Sequence, residues 1–523
     1  MASYIFCGLS FDGLGEKPYI CSACWWQHLP LACITAYIII ALTKSEFIYR
    51  IIQEFGFTPT ADQQRALDTF AAFLADREPH AVMILRGSAG TGKTSLAAAM
   101  VRTLARLGQK LTLMAPTGRA AKVFAHSSGM PAQTIHRRIY RERAYQGLDG
   151  QFKLNDNRYR DMLFVVDEAS MVSSQSAFGE SAFGSGSLLD DLVKYVYSGE
   201  NCRLLLIGDK AQLPPVGEAE APALAADSLQ GYGLRVYECD LDEVLRQSED
   251  SGILYNATVI RQMITHDEAT ALPRIRFKGF ADVVMVPGNE LIESLATSYD
   301  RVGMDETLVV TRSNKRANIY NQGIRSQVLD REESLCSGDM LMVVRNNYSV
   351  GSQTAHRGAP DERAPFTFLA NGDRAIVQRV RNVRELFGFH FADVWLRFPD
   401  YDDYELQTTV IMDSLTTDAP ALTREQNEQL FQQVMQDYAD IPTKGERLKA
   451  LRQDVYFNAL QVKFAYAVTC HKAQGGQWQH VYIDQGYMTD EMLTPDYIHW
   501  LYTAFTRATE KVFLVNWPVK QML

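Results

Sequence analysis

The segment Gly87-Ser-Ala-Gly-Thr-Gly-Lys-Thr94 constrains the fold more than any other part of the chain. It follows the apolar run Ala81-Val-Met-Ile-Leu85, which reads as a buried strand, and precedes Ser95-Leu-Ala-Ala-Ala-Met100, which reads as a helix start. Strand, glycine loop and helix in that order are the context in which G-x-x-x-x-G-K-[ST] is a phosphate-binding loop. The glycines let backbone N–H groups close on phosphate oxygens, and the following helix N-terminus adds positive dipole. Lys93 reaches the β- and γ-phosphates and the Thr94 hydroxyl holds Mg²⁺. Gly87, Ser88, Ala89, Gly90, Thr91, Gly92, Lys93 and Thr94 are therefore the expected binding residues for a nucleoside triphosphate, ATP.

A chain of 523 residues predicts three or four domains. Its net charge of −10 advertises no broad basic surface, so any contact with nucleic acid is expected inside a local groove. Eight cysteines over this length do not form a disulfide scaffold. Residues 1–45 differ from the rest. They hold Trp25-Trp26, Cys21-x-x-Cys24 and an apolar run from Leu31 to Leu42 that is shorter than the roughly 20 residues of a membrane span. Cys21, Cys24, His28 and Cys33 lack a regular zinc-ligand spacing, and no basic segment opens the chain as in a signal peptide. The segment reads as a poorly ordered extension or translated leader, and the protein as a cytoplasmic monomer.

From Ser45 onward the pattern is regular. Strands Val82–Leu85, Leu111–Met114, Leu163–Val166 and Cys202–Ile207 alternate with helices Ser95–Leu107 and Leu188–Tyr197. Continuous apolar strands between amphipathic helices predict a parallel sheet covered on both faces. Residues 46–235 form this first α/β domain, interrupted at 138–160 by a hairpin with a Gly147-Leu-Asp-Gly150 turn. A second α/β domain begins at 236–331, with a helix expected over Leu241–Arg261, and resumes at 461–523. Between them, residues 332–460 turn to short alternating strands, which predict a small β-barrel insert with a polar helical projection over Thr423–Asp437. The fold class is thus α/β, with two RecA-like P-loop NTPase domains, a β-hairpin insert in the first and a β-barrel insert in the second.

Leu163-Phe-Val-Val-Asp167-Glu168 is an apolar strand ending in two carboxylates. Beside a phosphate loop, Asp167 organises Mg²⁺ and Glu168 orients and deprotonates the attacking water. A third strand ends in Gly208-Asp209-Lys-Ala-Gln212-Leu-Pro-Pro215, which places the neutral amide of Gln212 in the same crevice to sense the γ-phosphate. Transfer of a phosphoryl group also calls for positive charge from outside the loop. Arg246 in Leu245-Arg-Gln247 and Arg507 in Tyr502-Thr-Ala-Phe-Thr-Arg507-Ala are the candidates, although an arginine taken alone is more often a surface ion pair.

The order Gln63, GSAGTGKT, Ala115-Pro-Thr-Gly118, Thr134-Ile-His136, Asp167-Glu-Ala-Ser170, GDKAQLPPVG, Leu245-Arg-Gln247, Ala467-Val-Thr-Cys-His471-Lys-Ala-Gln-Gly475 and YTAFTRA resembles superfamily 1 helicases. GDKAQLPPVG, TIH and HKAQG look like the 1B branch of RecD/Dda/Pif type. The resemblance spans residues 46 to about 517 and implies an ATP-dependent DNA helicase that moves 5′ to 3′ on single-stranded DNA and opens duplex. It implies that Gln63 reads the adenine edge and that Gly475 belongs with the nucleotide residues. It also implies that Pro116, Thr117, Thr134 and His136 hold strand phosphates in the first domain, and Thr311, Asn314, Thr469, His471 and Lys472 in the second. Hydroxyl, imidazole and ammonium groups at loop tips are suitable phosphate donors, and they serve equally well as turn caps. The hairpin carrying Tyr145 and Phe152 falls where such helicases place a strand-separating pin. Implied partners are single-stranded and forked DNA, with proteins of replication, repair or recombination. Two alternatives stay open: an RNA helicase of a related branch, and an ATP-gated single-strand DNA-binding recombination subunit that does not unwind.

Overall fold

The structure is a computed structural model that describes residues 43–142, 152–175, 184–243, 251–265, 272–347 and 369–523. Two parallel sheets and one closed barrel organise it. The first sheet has six strands, and its order across the sheet is Ala132–Thr134, Lys110–Ala115, Met162–Val166, Arg203–Gly208, Ala81–Gly87, Arg235–Leu241. All its pairings are parallel. Alternation along Ala81–Gly87 builds two cores. Met83 and Leu85 face a layer with Phe47, Phe70 and Leu104, while Val82 and Ile84 face one with Ile135, Leu192 and Leu224. Both faces are thus covered, as uninterrupted apolar strands require.

Local signals set the helix boundaries. Thr60 and Gln63 form a reciprocal capping box at the start of Ala61–Ala75. Thr43 caps Lys44–Phe55, and Gly56 closes that helix at φ 75°. The helix expected over Leu188–Tyr197 occupies those residues, capped by Ser187.

The second sheet, also parallel, runs Ala467–Thr469, Thr307–Thr311, Trp478–Asp484, Ala508–Val515, Val283–Val286. The barrel comprises Met340–Val343, Arg374–Leu386, Phe389–Phe398, Tyr404–Ile411 and Leu460–Phe464. It shares one continuous core with the second sheet: Leu341, Val394 and Val462 pack in the same cluster as Val309, Tyr482 and Leu501. The helices Arg424–Asp437, capped by Thr423 and Gln426, and Lys444–Leu451 close a small satellite core on Phe391 and Ile411.

Three sequence expectations change. Arg235–Leu241 is a strand of the first sheet, pairing along the whole of Ala81–Gly87, so that sheet extends past residue 235. The helix expected over Leu241–Arg261 is Gly252–Thr265 instead, because Leu241 ends that strand. The boundary expected at 460–461 shifts: within the apolar run that follows it, Leu460–Phe464 closes the barrel and Ala467–Thr469 enters the second sheet. Continuous hydrophobicity cannot mark a chain crossing from one buried strand to another. The hairpin is present as Tyr140–Glu142 paired antiparallel with Phe152–Leu154. Among the described residues no helix is long and apolar enough to cross a membrane.

Candidate nucleotide site and nucleic-acid track

Parallel strands bring their C-terminal ends to one edge, and in the first sheet three neighbours matter: Ala81–Gly87, Arg203–Gly208 and Met162–Val166. The phosphate loop leaves the first of these. Gly90 (φ 81°) and Gly92 (φ 75°) hold left-handed backbone that turns the chain directly into helix Lys93–Arg106. That helix starts without any side-chain cap, so its first N–H groups are left for a ligand. Lys93 and Thr94, both half-buried, open it.

The carboxylates stand next door. Asp167 is buried, and Glu168 adopts a left-handed φ of 52° as its N–H donates to Asp167 Oδ1 (2.9 Å). A non-glycine residue held there is strained, and such strain concentrates at functional sites. Burial, and then the adjacent Glu168 carboxylate, push the Asp167 carboxyl above the usual carboxylate range, against the pull of the Lys93 ammonium. Burial likewise raises Asp209, opposed by Lys93 and by a hydrogen bond from Tyr502. Glu168 Oε2, Ser170 Oγ and Gln212 Oε1 are buried and lack any hydrogen-bond partner among the described residues. Three orphan polar groups, two of them acceptors only, are left for a polar ligand or its water to satisfy. A threonine hydroxyl and one carboxylate are hard oxygen donors of the kind Mg²⁺ takes alongside substrate phosphates.

The second sheet closes this edge. From helix Pro495–Phe505, Tyr502 Oη accepts from the Ala89 N–H (2.9 Å) and donates to Asp209 Oδ2 (2.7 Å). Thr503 Oγ1 accepts from Leu213 N (2.8 Å), and His499 Nδ1 lies 2.9 Å from Ala211 O. Gln474 donates to Leu213 O (2.7 Å). Arg261, on helix Gly252–Thr265, donates to Ser88 Oγ (2.6 Å) within the phosphate loop. Sequence reasoning missed Tyr502, Asp209 and Arg261. Its place at a strand end is a signal for Asp209, and Tyr502 sits in the same helical motif as Arg507, but nothing local singles out Arg261.

Other expected residues sit differently from their assigned roles. Gln63 is buried, with Oε1 accepting from Thr60 N (3.1 Å) and Nε2 donating to Thr91 O (2.9 Å), so it braces the loop. Gly475 (φ 72°) packs against Ala120 and Thr117, not against the phosphate loop: a Cβ there would lie 2.9 Å from Ala120 Cβ. Arg507 is buried, donating to Thr503 O, Gly476 O and Thr506 Oγ1, with no carboxylate beside it among the described residues. Arg246 and Tyr145 lie outside the described residues, and Phe152 is described only as backbone of its strand.

The expected phosphate-holding residues gather at strand ends. Thr117 and Thr134 cap helices Gly118–Ser128 and Ile135–Ile139, next to Pro116 and His136. Burial lowers His136 to about 4, so it is neutral at pH 7. Thr469 caps Cys470–Ala473 without a side-chain bond, which leaves its hydroxyl available beside the exposed His471 and half-buried Lys472. Burial brings Lys472 down to about 8, and the nearby Lys463 ammonium adds to it. Asn314 opens helix Asn314–Gly323. Thr311 is fully buried and its hydroxyl donates to Ser313 O (3.1 Å), so it holds the turn together and offers nothing to a strand.

A family model for an AAA domain matches residues 59–279, and one for a UvrD-like helicase C-terminal domain matches residues 464–515. The ATP-dependent RecD2 DNA helicase of Deinococcus radiodurans is 33% identical over 156 residues, which is 30% of this chain and 19% of that protein. The ATP-dependent DNA helicase dda of Enterobacteria phage T4 is 24% identical over 292 residues, 54% of this chain and 60% of that one. The chain therefore spans under two thirds of either relative. A Pif1 helicase from Bacteroides, solved with ADP-AlF3 and single-stranded DNA, is 16% identical over 89% of this chain and 94% of its own, with a TM-score of 0.42. By the two domain matches and these curated relatives, the chain is similar to DNA helicases of the RecD2 and Dda kind.

Proposed function

We propose that this chain is an ATP-driven DNA helicase that moves 5′ to 3′ on single-stranded DNA, from a cytoplasmic location. The observation that carries the reading is the pair of orphan buried acceptors, Glu168 Oε2 and Gln212 Oε1, beside the uncapped phosphate loop. In this reading they supply the base and the orienting amide that an attacking water needs. In this reading the loop N–H groups and Lys93 bind the triphosphate, and Glu168 takes the proton of the water as it attacks the γ-phosphate. Thr94 and Asp167 would hold Mg²⁺, which supplies charge neutralisation between the β- and γ-phosphates. Arg507 and Arg246 stay the candidates for the positive charge added as the transferring group loosens, which arginine fingers turn into about 10³–10⁵-fold in rate.

Tyr502 supports the coupling of hydrolysis to movement. It ties the phosphate loop and Asp209 to the unit that carries Thr469, His471 and Lys472. A change at the γ-phosphate therefore alters a bond between the two halves of the strand track, as domain closure around a ligand requires. Fluorescence unwinding of duplexes with a 5′ or a 3′ single-stranded tail tests the proposal. Opening of the 5′-tailed substrate alone, with ATP consumed, is expected. Opening of the 3′-tailed substrate alone reverses the direction, and DNA-stimulated hydrolysis without any opening leaves a translocating clamp in its place.

A further inference from the structure

The foot of the hairpin holds a basic pocket that the nucleotide site and the strand track do not use. Arg138, Arg141, Arg158, Asp156, Tyr159 and Tyr195 line a cavity of about 390 Å³ open to solvent. The guanidinium of Arg138 lies 4.4 Å from the centre of the Tyr159 ring, and one of its nitrogens donates to Thr112 Oγ1 (3.3 Å). Its Nε is buried without a hydrogen-bond partner among the described residues. Arg158 is exposed and has no carboxylate beside it among the described residues. Arg141 has one, Asp156, at 3.4 Å, and that pair is half in solvent. Among the described residues three guanidiniums thus face one carboxylate, and the cation at the floor is fixed in orientation by an aromatic face.

The surrounding sequence carries the same sign. Residues 137–160 hold seven Lys or Arg and three Asp or Glu, in a chain whose net charge is −10. Guanidinium forks match phosphate oxygens in pairs, which an ammonium cannot do. The pocket floor touches Thr112, three residues before the strand end at Ala115, hence roughly 10 Å back from the edge where Thr117 and Thr134 sit. One strand lying across the sheet ends would leave the pocket free.

We propose that this pocket is a second phosphate site, and that its ligand is the backbone of the duplex arm of a forked DNA. The inference rests on the helicase reading. While the strand track holds the single-stranded tail, the hairpin foot grips the duplex still to be opened. Phosphate contacts position without reading sequence, so the grip is independent of base pair.

The test uses the full chain, with a 5′-tailed fork and its tail strand alone as probes and fluorescence anisotropy at 50–200 mM salt as the readout. Arg141→Gln with Arg158→Gln, both at exposed or half-exposed positions, leaves the stacked Arg138 in place. The expected result is a fork affinity lowered about tenfold and a fork salt slope smaller by about 0.9 for each phosphate no longer neutralised. Tail-strand affinity and single-strand-stimulated ATPase stay unchanged, and Arg141→Lys with Arg158→Lys recovers part of the fork binding. Equal loss on fork and tail strand overturns the proposal, as does no loss on either. Competition of fork binding by millimolar inorganic phosphate, in the parent chain but not in the Gln variant, assigns the pocket to a small anion and overturns it too. A parent chain whose ATPase ignores single-stranded DNA sinks the helicase reading itself, which the variant comparison cannot do.

Discussion

The two parallel sheets share an architecture and differ at the edge where ligands bind. In the first, the strand Ala81–Gly87 passes through left-handed glycines into a helix with no side-chain cap. In the second, the strand Thr307–Thr311 passes through Arg312 and Ser313 into helix Asn314–Gly323, and Ser313 Oγ accepts from Arg316 N (3.2 Å). The first helix start is open and the second is plugged by its own serine. The carboxylates differ in the same way. Asp167 has no cation bonded to it among the described residues, whereas Asp484 at the second edge is held by Arg316 (2.6 Å). One edge keeps its polar groups unsatisfied for a ligand, and the other satisfies them internally. A crevice at the ends of parallel strands is therefore not enough to bind a nucleotide. The second edge does have a cavity of about 550 Å³ lined by Arg312, Ser313 and Arg316. What differs is the helix start, where the Ser313 side chain takes one of the N–H groups.

The contrast breaks most sharply on paired substitutions. Lys93→Ala should lower ATP turnover by about 10³-fold or more, since it removes the cation on the β- and γ-phosphates. Arg312→Ala, the cation at the second edge, should leave steady-state turnover within about twofold of the parent. Titration calorimetry with a non-hydrolysable ATP analogue should count one site per chain. Two sites, or equal losses in the two variants, would show that the second edge also binds nucleotide.

Glu168→Gln comes next. It keeps the shape of the side chain and removes the base, so ATP should bind with ordinary affinity and turn over about 10²–10⁴-fold more slowly. Measured by single-turnover hydrolysis, a variant retaining more than about a tenth of the parent rate would assign the base elsewhere. Tyr502→Phe should act more mildly, by about tenfold. It removes the hydroxyl that joins Ala89 N and Asp209 across the two units, a charge-assisted bond of about 1.5–3 kcal/mol. The loss should fall on DNA-stimulated turnover more than on basal turnover. An equal fall in both would make Tyr502 a support of the loop and not a link between the sheets.

Much of this was legible in the chain because it depends on local backbone needs. The glycines at 90 and 92, the strand-end Asp167 and the threonine caps at 60, 117, 134 and 469 are dictated within a few residues, and the sequence shows them. The strand Arg235–Leu241 was missed because its burial is partial and its residues include Arg235, Glu238 and Asp240, two of them matched to Arg86 on the neighbouring strand. An edge strand held by ion pairs carries no apolar signature. Arg261 and Tyr502 were missed as site residues because their partners lie 173 and 413 positions away. Gln63 and Thr311 were read for ligand contacts when their polar atoms are already spent inside the protein, and only the folded geometry shows that.

The smallest expected effect separates binding from stability at the second edge. Burial holds Lys472 at about 8, and Lys463 beside it is at about 8 for the same reason. Both ammoniums are charged at pH 7 and lose the proton between pH 7 and 9, well before an ordinary lysine. If Lys472 grips a strand phosphate, affinity for single-stranded DNA should fall several-fold over that interval at constant ionic strength. Stability moves the other way. Between about 8 and the usual lysine value the unfolded chain binds more protons than the folded one, so stability rises with pH as the buried ammoniums discharge. A binding curve that weakens while the chemical-denaturation midpoint climbs therefore points to a lysine that serves the ligand at some expense to the fold. Lys472→Gln should flatten the pH dependence of binding. If affinity and midpoint instead fall together, the lysine supports the loop, and Thr469 with His471 would be left to hold the strand at the second edge.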